Sequence, residues 1–154
     1  QEILDSYYDD LCKAREEGRN LLFAKYAYMM ESTAPEEFEK LKKVLPVISD
    51  ERKMRVDETV AAHVKWAEEF EQEHPEYARR GRPIRACQEA PGQTSIETYQ
   101  RGELYSYGEN TEKLYSQYVQ ECVAQNRNLA SLIRENTTRM YGYESISDIE
   151  KRME

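Results

Sequence analysis

Leu4-Asp5-Ser6-Tyr7-Tyr8-Asp9-Asp10-Leu11-Cys12-Lys13-Ala14 returns near the far end of the chain as Leu114-Tyr115-Ser116-Gln117-Tyr118-Val119-Gln120-Glu121-Cys122-Val123-Ala124, with Leu, Ser, Tyr, Cys and Ala in step. In each copy Leu, Tyr and Cys stand four residues apart, the interval that stacks side chains along one face of an α-helix. Further on, Arg19-Asn20-Leu21 returns as Arg127-Asn128-Leu129, two residues out of step with the first block. The slip falls at Gly18 and Asn126, residue types that tolerate the left-handed backbone of a helix stop. One reading is a duplicated helical hairpin packed about a local two-fold. The other is two unrelated amphipathic helices that share common residues. Either way both ends of the chain are helical hairpins, and the separation is far too long for a solenoid repeat. On the duplication reading Cys12 and Cys122 are both buried, as free thiols rather than a disulfide across the axis. The stripes of Tyr8 with Cys12 and Tyr118 with Cys122 then face the core.

Between the hairpins, breakers and caps divide the chain. The first helix is expected to end at Gly18, and Asn20 caps a second that runs to about Glu31. Thr33-Ala34-Pro35-Glu36 has the form of a capping box with Pro in the first turn, and a short helix to about Val44 follows. Leu45-Pro46 ends that helix. Ser49-Asp50 opens a long helix whose Val56, Val60, Val64 and Ala67 form one apolar stripe beside Trp66 and Phe70, until His74-Pro75 breaks or kinks it. Residues 79–93 hold Gly81, Pro83, Pro91 and Gly92 without an apolar period and read as one long loop. Thr94-Ser95-Ile96-Glu97 is a second capping box, opening a helix to about Gln125 in which Gly102 and Gly108 are places to kink. Asn128 caps the next helix, which ends at Tyr141-Gly142, and Ser145 with Asp148 caps a short last one. The sum is an all-α, single-domain helical bundle of about six or seven helices. It comprises a hairpin at 2–31, middle helices at 34–74, a basic loop at 79–93, a hairpin at 94–141 and a C-terminal helix at 146–153.

Composition agrees with that class. A chain of 154 residues suits one domain, and 34% charged residues with six Gly and five Pro leave helix formers dominant. The net charge of −8 argues against general nucleic-acid binding, which rests on phosphate neutralisation, and against docking to an anionic membrane surface. No apolar run is long enough to span a bilayer, and the sequence holds no secretory h-region, which leaves a leader removed before Gln1 open. The chain opens at Gln1 inside a helical pattern and is expected to be part of a longer product. Cys12, Cys87 and Cys122 form no Cys-x-x-Cys and share no ligand spacing with His63 or His74, so no metal site is expected. His74 has Glu71 three residues before it, but no second Glu-x-x-His exists for a di-metal centre. Buried thiols and a reducing, cytoplasmic location are the default. No motif names a cofactor.

Arg79, Arg80, Arg82 and Arg85 crowd one segment of this acidic chain, just before Thr94, Ser95 and a helix bearing Glu97, Tyr99 and Arg101. Guanidinium groups beside a helix N-terminus suit a phosphate or carboxylate, so Arg82, Arg85, Thr94, Ser95, Glu97, Tyr99 and Arg101 form the candidate binding set for an anionic small molecule. The competing reading pairs these arginines with the acidic run Glu68, Glu69, Glu71 and Glu73. A nucleotide phosphate loop is excluded because no Gly-x-x-x-x-Gly-Lys-Ser occurs. Twelve Tyr against three Phe point to hydrogen-bonded helix contacts, a homo-oligomer surface or a polar pocket. Tyr7, Tyr28, Tyr105 and Tyr107 lie off the Tyr8–Cys12 and Tyr118–Cys122 stripes and are expected at the surface, at least two of them in a subunit contact or a cleft beside Arg101. His63 reads as a structural histidine, since a general base needs a carboxylate that sequence cannot place. Two functions stand: binding or modifying an anionic small molecule, and a protein-interaction or homo-oligomerisation module.

Several strings fall in order along nearly the whole chain. They are Glu16-Glu17-Gly18-Arg19-Asn20-Leu21-Leu22, Lys25-Tyr26, Met29-Met30-Glu31-Ser32-Thr33-Ala34-Pro35-Glu36-Glu37, Gly81-Arg82-Pro83-Ile84-Arg85, Glu97-Thr98-Tyr99, Arg101-Gly102-Glu103-Leu104 and Tyr141-Gly142-Tyr143. Together they resemble a bacterial and archaeal family known only as a domain of unknown function. The resemblance implies a helical domain and a segment missing before Gln1, and it implies no activity. Gly108 and Cys87 depart from the family's pattern, which counts against a required thiol in the loop.

Overall fold

The repeated phrase builds the same turn twice. In the computed structural model, which describes residues 1–152, Gly18 and Asn126 both take left-handed backbone, at φ 67° and 53°. Arg19 N then donates to Ala14 O and Arg127 N to Cys122 O, each at 2.8 Å, closing the helix-end carbonyls in the way a left-handed stop allows. Two residues on, Asn20 and Asn128 cap the next helices by accepting from Phe23 N and Ser131 N, both at 3.0 Å.

The elements run α1 (Glu2–Glu16), α2 (Leu21–Thr33), α3 (Pro35–Leu41), α4 (Asp50–Glu73), α5 (Pro75–Ala78), α6 (Ile96–Ser106), α7 (Glu109–Ala124), α8 (Leu129–Met140) and α9 (Ile146–Lys151), with 3-10 turns at Lys42–Val44 and Ala86–Gln88. Among the described residues the chain is all-α, a single bundle without strands. The long helix α4 is its axis. Val56, Val60, Val64 and Ala67 meet Tyr28, Phe38, Ile84, Leu104 and Tyr105 in one buried cluster, while Trp66 on another face meets Val119, Cys122 and Leu129. Burial of each such side chain contributes about 1.5–3 kcal/mol before the entropy of ordering is set against it. Pairing follows an exchange of the two hairpins in part: α2 rests on α6 as α8 rests on α4, and α1 and α7 rest on each other, but α7 also rests on α4 where α1 makes no like contact with α6.

Several local expectations change. The helix expected over residues 94–125 is two, divided at Tyr107-Gly108. Gly102 does not kink its helix; an added Cβ would stand 2.8 Å from Lys25 O and 2.7 Å from Met29 Cγ, so it is there to let α6 approach α2. Neither capping box forms. Thr33 stays in α2 with its hydroxyl donating to Met29 O at 3.1 Å, and Ala34 precedes Pro35 without a side-chain cap. Ser95 caps α6 in place of Thr94, accepting from Thr98 N at 3.0 Å. The last helix ends at Lys151, and residue 153 of its expected span lies outside the described residues.

The two copies of the phrase also meet different surroundings. Cys122 is buried, but Cys12 is exposed, and all three thiols are free. Leu4 and Tyr8 are 68% and 66% exposed. The reason is layering. Helix α7 lies between α1 and α4, whereas α1 is outermost and has α7 as its main neighbour. Ser6 shares a 2.7 Å hydrogen bond with Thr111, and Ala14 is the buried residue of α1. Tyr28 and Tyr105, expected at the surface, are buried and stack edge-on at 5.4 Å, yet both line a cleft beside Arg101, as expected of at least two of the four tyrosines.

Candidate functional site

The basic loop is fastened rather than free. Ile84 joins the core, and Pro83 and Ile84 turn their carbonyls onto the start of α6, accepting from Ile96 N at 2.8 Å and Glu97 N at 3.0 Å. With Thr98 N on Ser95 Oγ, the leading N–H groups of α6 are engaged within the protein. Glu89 draws the loop together: its Oε1 accepts from Ser95 N and Ser95 Oγ at 2.8 and 2.7 Å, and its Oε2 from Ser32 Oγ at 3.2 Å. Burial alone would raise its pKa, yet these hydrogen bonds hold the carboxyl below its ordinary value.

The arginines have partners too. Arg85 Nε donates to Glu68 Oε1 at 2.6 Å, a residue of the acidic run. Arg101 Nη2 donates to Asp57 at 2.9 Å, with Glu97 3.6 Å from its other nitrogen. Arg82 lies over the Tyr99 ring at 4.8 Å and reaches Thr94 O at 3.4 Å. Glu97 accepts from Ala86 N at 2.9 Å. Of the expected set, Arg85, Glu97 and Arg101 share a groove of about 400 Å³ between α4 and α6. Arg82 opens instead on a small recess of about 50 Å³ beside Phe70 and Tyr77. Ser95 is wholly buried, with its hydroxyl in the α6 cap. On the other side of Arg101, a cleft of about 380 Å³ is lined by Tyr28, Glu31, Ser32, Thr98 and Tyr105.

A different place stands open. Because α1 rests on α7 and α2 on α6, the first hairpin is a V with a cleft of about 500 Å³ between its arms. Lys25 and Glu103 form an ion pair at its floor, beside Tyr7. Lys25 Nζ also donates to Tyr99 Oη at 2.6 Å. Burial opposes the ammonium, but Glu103 and Tyr99 outweigh it and raise its pKa. Arg15 and Arg19 stand at the closed end, and Leu11 and Leu22 on the walls. Around the V, Leu4, Tyr8 and Leu11 on α1 and Leu22, Phe23 and Tyr26 on α2 are all 44% exposed or more. Sequence reasoning missed this face by assigning the Leu4–Tyr8 stripe to the core. The second hairpin and α4 frame a larger cleft of about 1030 Å³, lined by Glu58, Trp66, Glu69, Glu73, Arg127 and Asn128.

Histidine chemistry is enclosed. His63 is buried, its Nε2 shares a 3.0 Å hydrogen bond with Tyr115 Oη, and burial lowers its pKa to about 4. Burial likewise pushes the Tyr115 phenol up to about 12. His74 meets Glu150 at 3.0 Å and ties α9 to the start of α5. Among the described residues no three His, Cys, Asp or Glu side chains gather closely enough to hold a metal ion.

Fold and site therefore define a small all-α domain with one clamped polar loop and one open aromatic face. It belongs to the family described as "Protein of unknown function (DUF4125)", whose model matches residues 1–151. No curated protein matches the chain, and no solved structure does.

Proposed function

We propose that the domain is a protein-interaction module whose contact face is the outer side of the α1–α2 hairpin. The observation that carries this reading is the exposure of six large apolar side chains on the two arms, Leu4, Tyr8, Leu11, Leu22, Phe23 and Tyr26, of which Leu11 and Leu22 line the cleft between them. Large apolar side chains left exposed on the arms of one hairpin of an otherwise highly charged chain mark a contact site, and a groove between two helices suits a third helix. A second copy fits the face poorly. A two-fold contact sets Arg15 and Arg19 against their own copies, and each chain carries −8. The same net charge disfavours nucleic acid. Among the described residues no helix is long and apolar enough to cross a membrane. Three free thiols, Cys12 and Cys87 exposed, support a reducing, cytoplasmic setting for the contact.

The test is site-specific photo-crosslinking in the source cells. A photoreactive residue at Tyr8, Phe23 or Tyr26 should give one adduct of defined mass that Leu22→Glu removes. Val47 and Met140, which are even more exposed, serve as controls. The same adducts from the controls, or none from the hairpin, would return these residues to ordinary surface.

A second reading keeps the anionic small molecule and moves it to Arg101, between the Tyr28–Tyr105 cleft and the Arg85–Glu97 groove. Its support is the exposure of Asp57, since a surface ion pair is worth under about 1 kcal/mol and a ligand carboxylate or phosphate can replace it. A melting temperature raised by such anions in the parent chain and unmoved in Arg101→Gln would favour it. Equal response in both would dismiss it.

A further inference from the structure

We infer that the occupant of the α1–α2 cleft is an acidic amphipathic helix carried by a partner protein, which rests on the interaction reading above and adds the partner's chemistry to it. Two features of the cleft specify that class. Its shape and walls ask for a helix: Leu4, Tyr8 and Leu11 lie on one arm, and Leu22, Phe23 and Tyr26 on the other. Leu4, Tyr8 and Leu11 fall at three- and four-residue spacing and Leu22 and Tyr26 stand four apart, the pattern that meets the apolar stripe of a third helix.

The second feature is charge. The cleft is lined by Arg15, Arg19 and Lys25 against the single carboxylate of Glu103, in a chain whose net charge is −8. Lys25 and Glu103 neutralise each other at the floor. Arg15 and Arg19 are left at the closed end, where the N-terminus of α2 adds its positive dipole end. Arg19 has Glu17 as an exposed neighbour, and such a pair is weak enough to be replaced. Carboxylates on the partner helix meet complementary charge there, and lysines meet repulsion. The cleft of the second hairpin offers the opposite balance, with Glu58, Glu69 and Glu73 against Lys65 and Arg127. An acidic helix is thereby directed to the first hairpin, although the repeated sequence frames both.

The test uses the full chain as bait for displayed helices of about five turns. Their apolar stripe is fixed, and their polar face carries Glu or Lys at random. Selection should raise the Glu to Lys ratio about fivefold or more, as charge complementarity requires. Arg15→Glu with Arg19→Glu should weaken the selected helices at least about tenfold, a loss expected for reversed charge at a contact. Glu58→Lys with Glu69→Lys should leave their binding unchanged. A selected pool without a Glu preference, still lost on Tyr8→Glu with Leu22→Glu, overturns the acidic partner and leaves the interaction face standing. A pool indifferent to Tyr8→Glu with Leu22→Glu overturns both. Mass that rises with concentration in sedimentation, and falls back on Leu22→Glu, assigns the cleft to a second copy and overturns the acidic helix.

Discussion

The Asp10 carboxylate on α1 accepts a hydrogen bond from Gly108 N at 2.8 Å and so closes the N-terminus of α7 from a different helix. Gly108 is the residue at that cap, and it has no side chain of its own to serve. A Cβ there would stand 1.9 Å from Asp10 Oδ1. Asp10→Ala should cost about 1 kcal/mol, the usual loss of a helix cap. Gly108→Ala should cost a similar amount by driving the carboxylate away. Denaturant unfolding of the double variant should show clear non-additivity, since both changes remove one contact. Additive losses would mean that Gly108 matters for its own backbone instead.

Gly102 is a closer test of helix packing. Its Cβ would meet a backbone atom, Lys25 O, and not only the mobile Met29 side chain. Gly102→Ala should therefore lower stability by about 1–3 kcal/mol, as overpacking does. Helix propensity alone would act in the other direction by roughly 1 kcal/mol, so a stabilised variant would show that α2 and α6 separate easily.

Glu112 is fully buried and held by Arg55, whose Nη2 and Nε donate to its carboxylate at 2.7 to 3.2 Å. Ser116 Oγ donates to the same group at 2.8 Å and itself accepts from Thr59 Oγ1 at 2.9 Å. Arg52 Nε stands 3.6 Å from the same carboxylate and its side chain is mostly buried, so removing Glu112 strands it, while Arg55 keeps Glu51. Glu112→Ala should lower unfolding free energy by about 3–5 kcal/mol. A loss under about 1 kcal/mol would place the pair among ordinary surface contacts.

His63 makes stability depend on pH. Its pKa falls from 6.5 to about 4 on folding because burial disfavours the imidazolium. Between those values the unfolded chain binds more protons. The stabilising contribution is complete above pH 6.5 and is lost as pH falls toward 4, at about 1.4 kcal/mol per unit. In the His63→Gln variant the fall in melting temperature between pH 6.5 and 4.5 should be shallower than in the parent chain. Parallel pH curves would exclude His63 as its source.

Most of the fold was readable because it rests on local chemistry. Gly18, Asn126, Asn20 and Asn128 act on their own backbone, and the α4 stripe needs one burying neighbour on a known face. What was hidden depends on layering. Leu4-Tyr8-Cys12 and Leu114-Tyr118-Cys122 carry the same pattern, but α7 lies between two helices and α1 has one, which no spacing within either helix states. Placing the arginines also required the fold. Arg85 could be matched with the acidic run that contains Glu68, whereas the Arg101–Asp57 pair joins helices 44 residues apart in sequence. Lys25 and Glu103 stand in two of the strings that mark the family, with no role attached to either, and meet only when α2 lies on α6.

The outer position of α1 gives it a stability of its own. With Ala14 as its one buried residue, it gains little from the core and can open while α2, α4 and α6 stay closed. Its amides then exchange with solvent ahead of theirs. A helix seated in the V would add the burial that α1 lacks, so binding and the ordering of α1 become a single equilibrium. The affinity measured for any such helix would include the work of holding this arm in place.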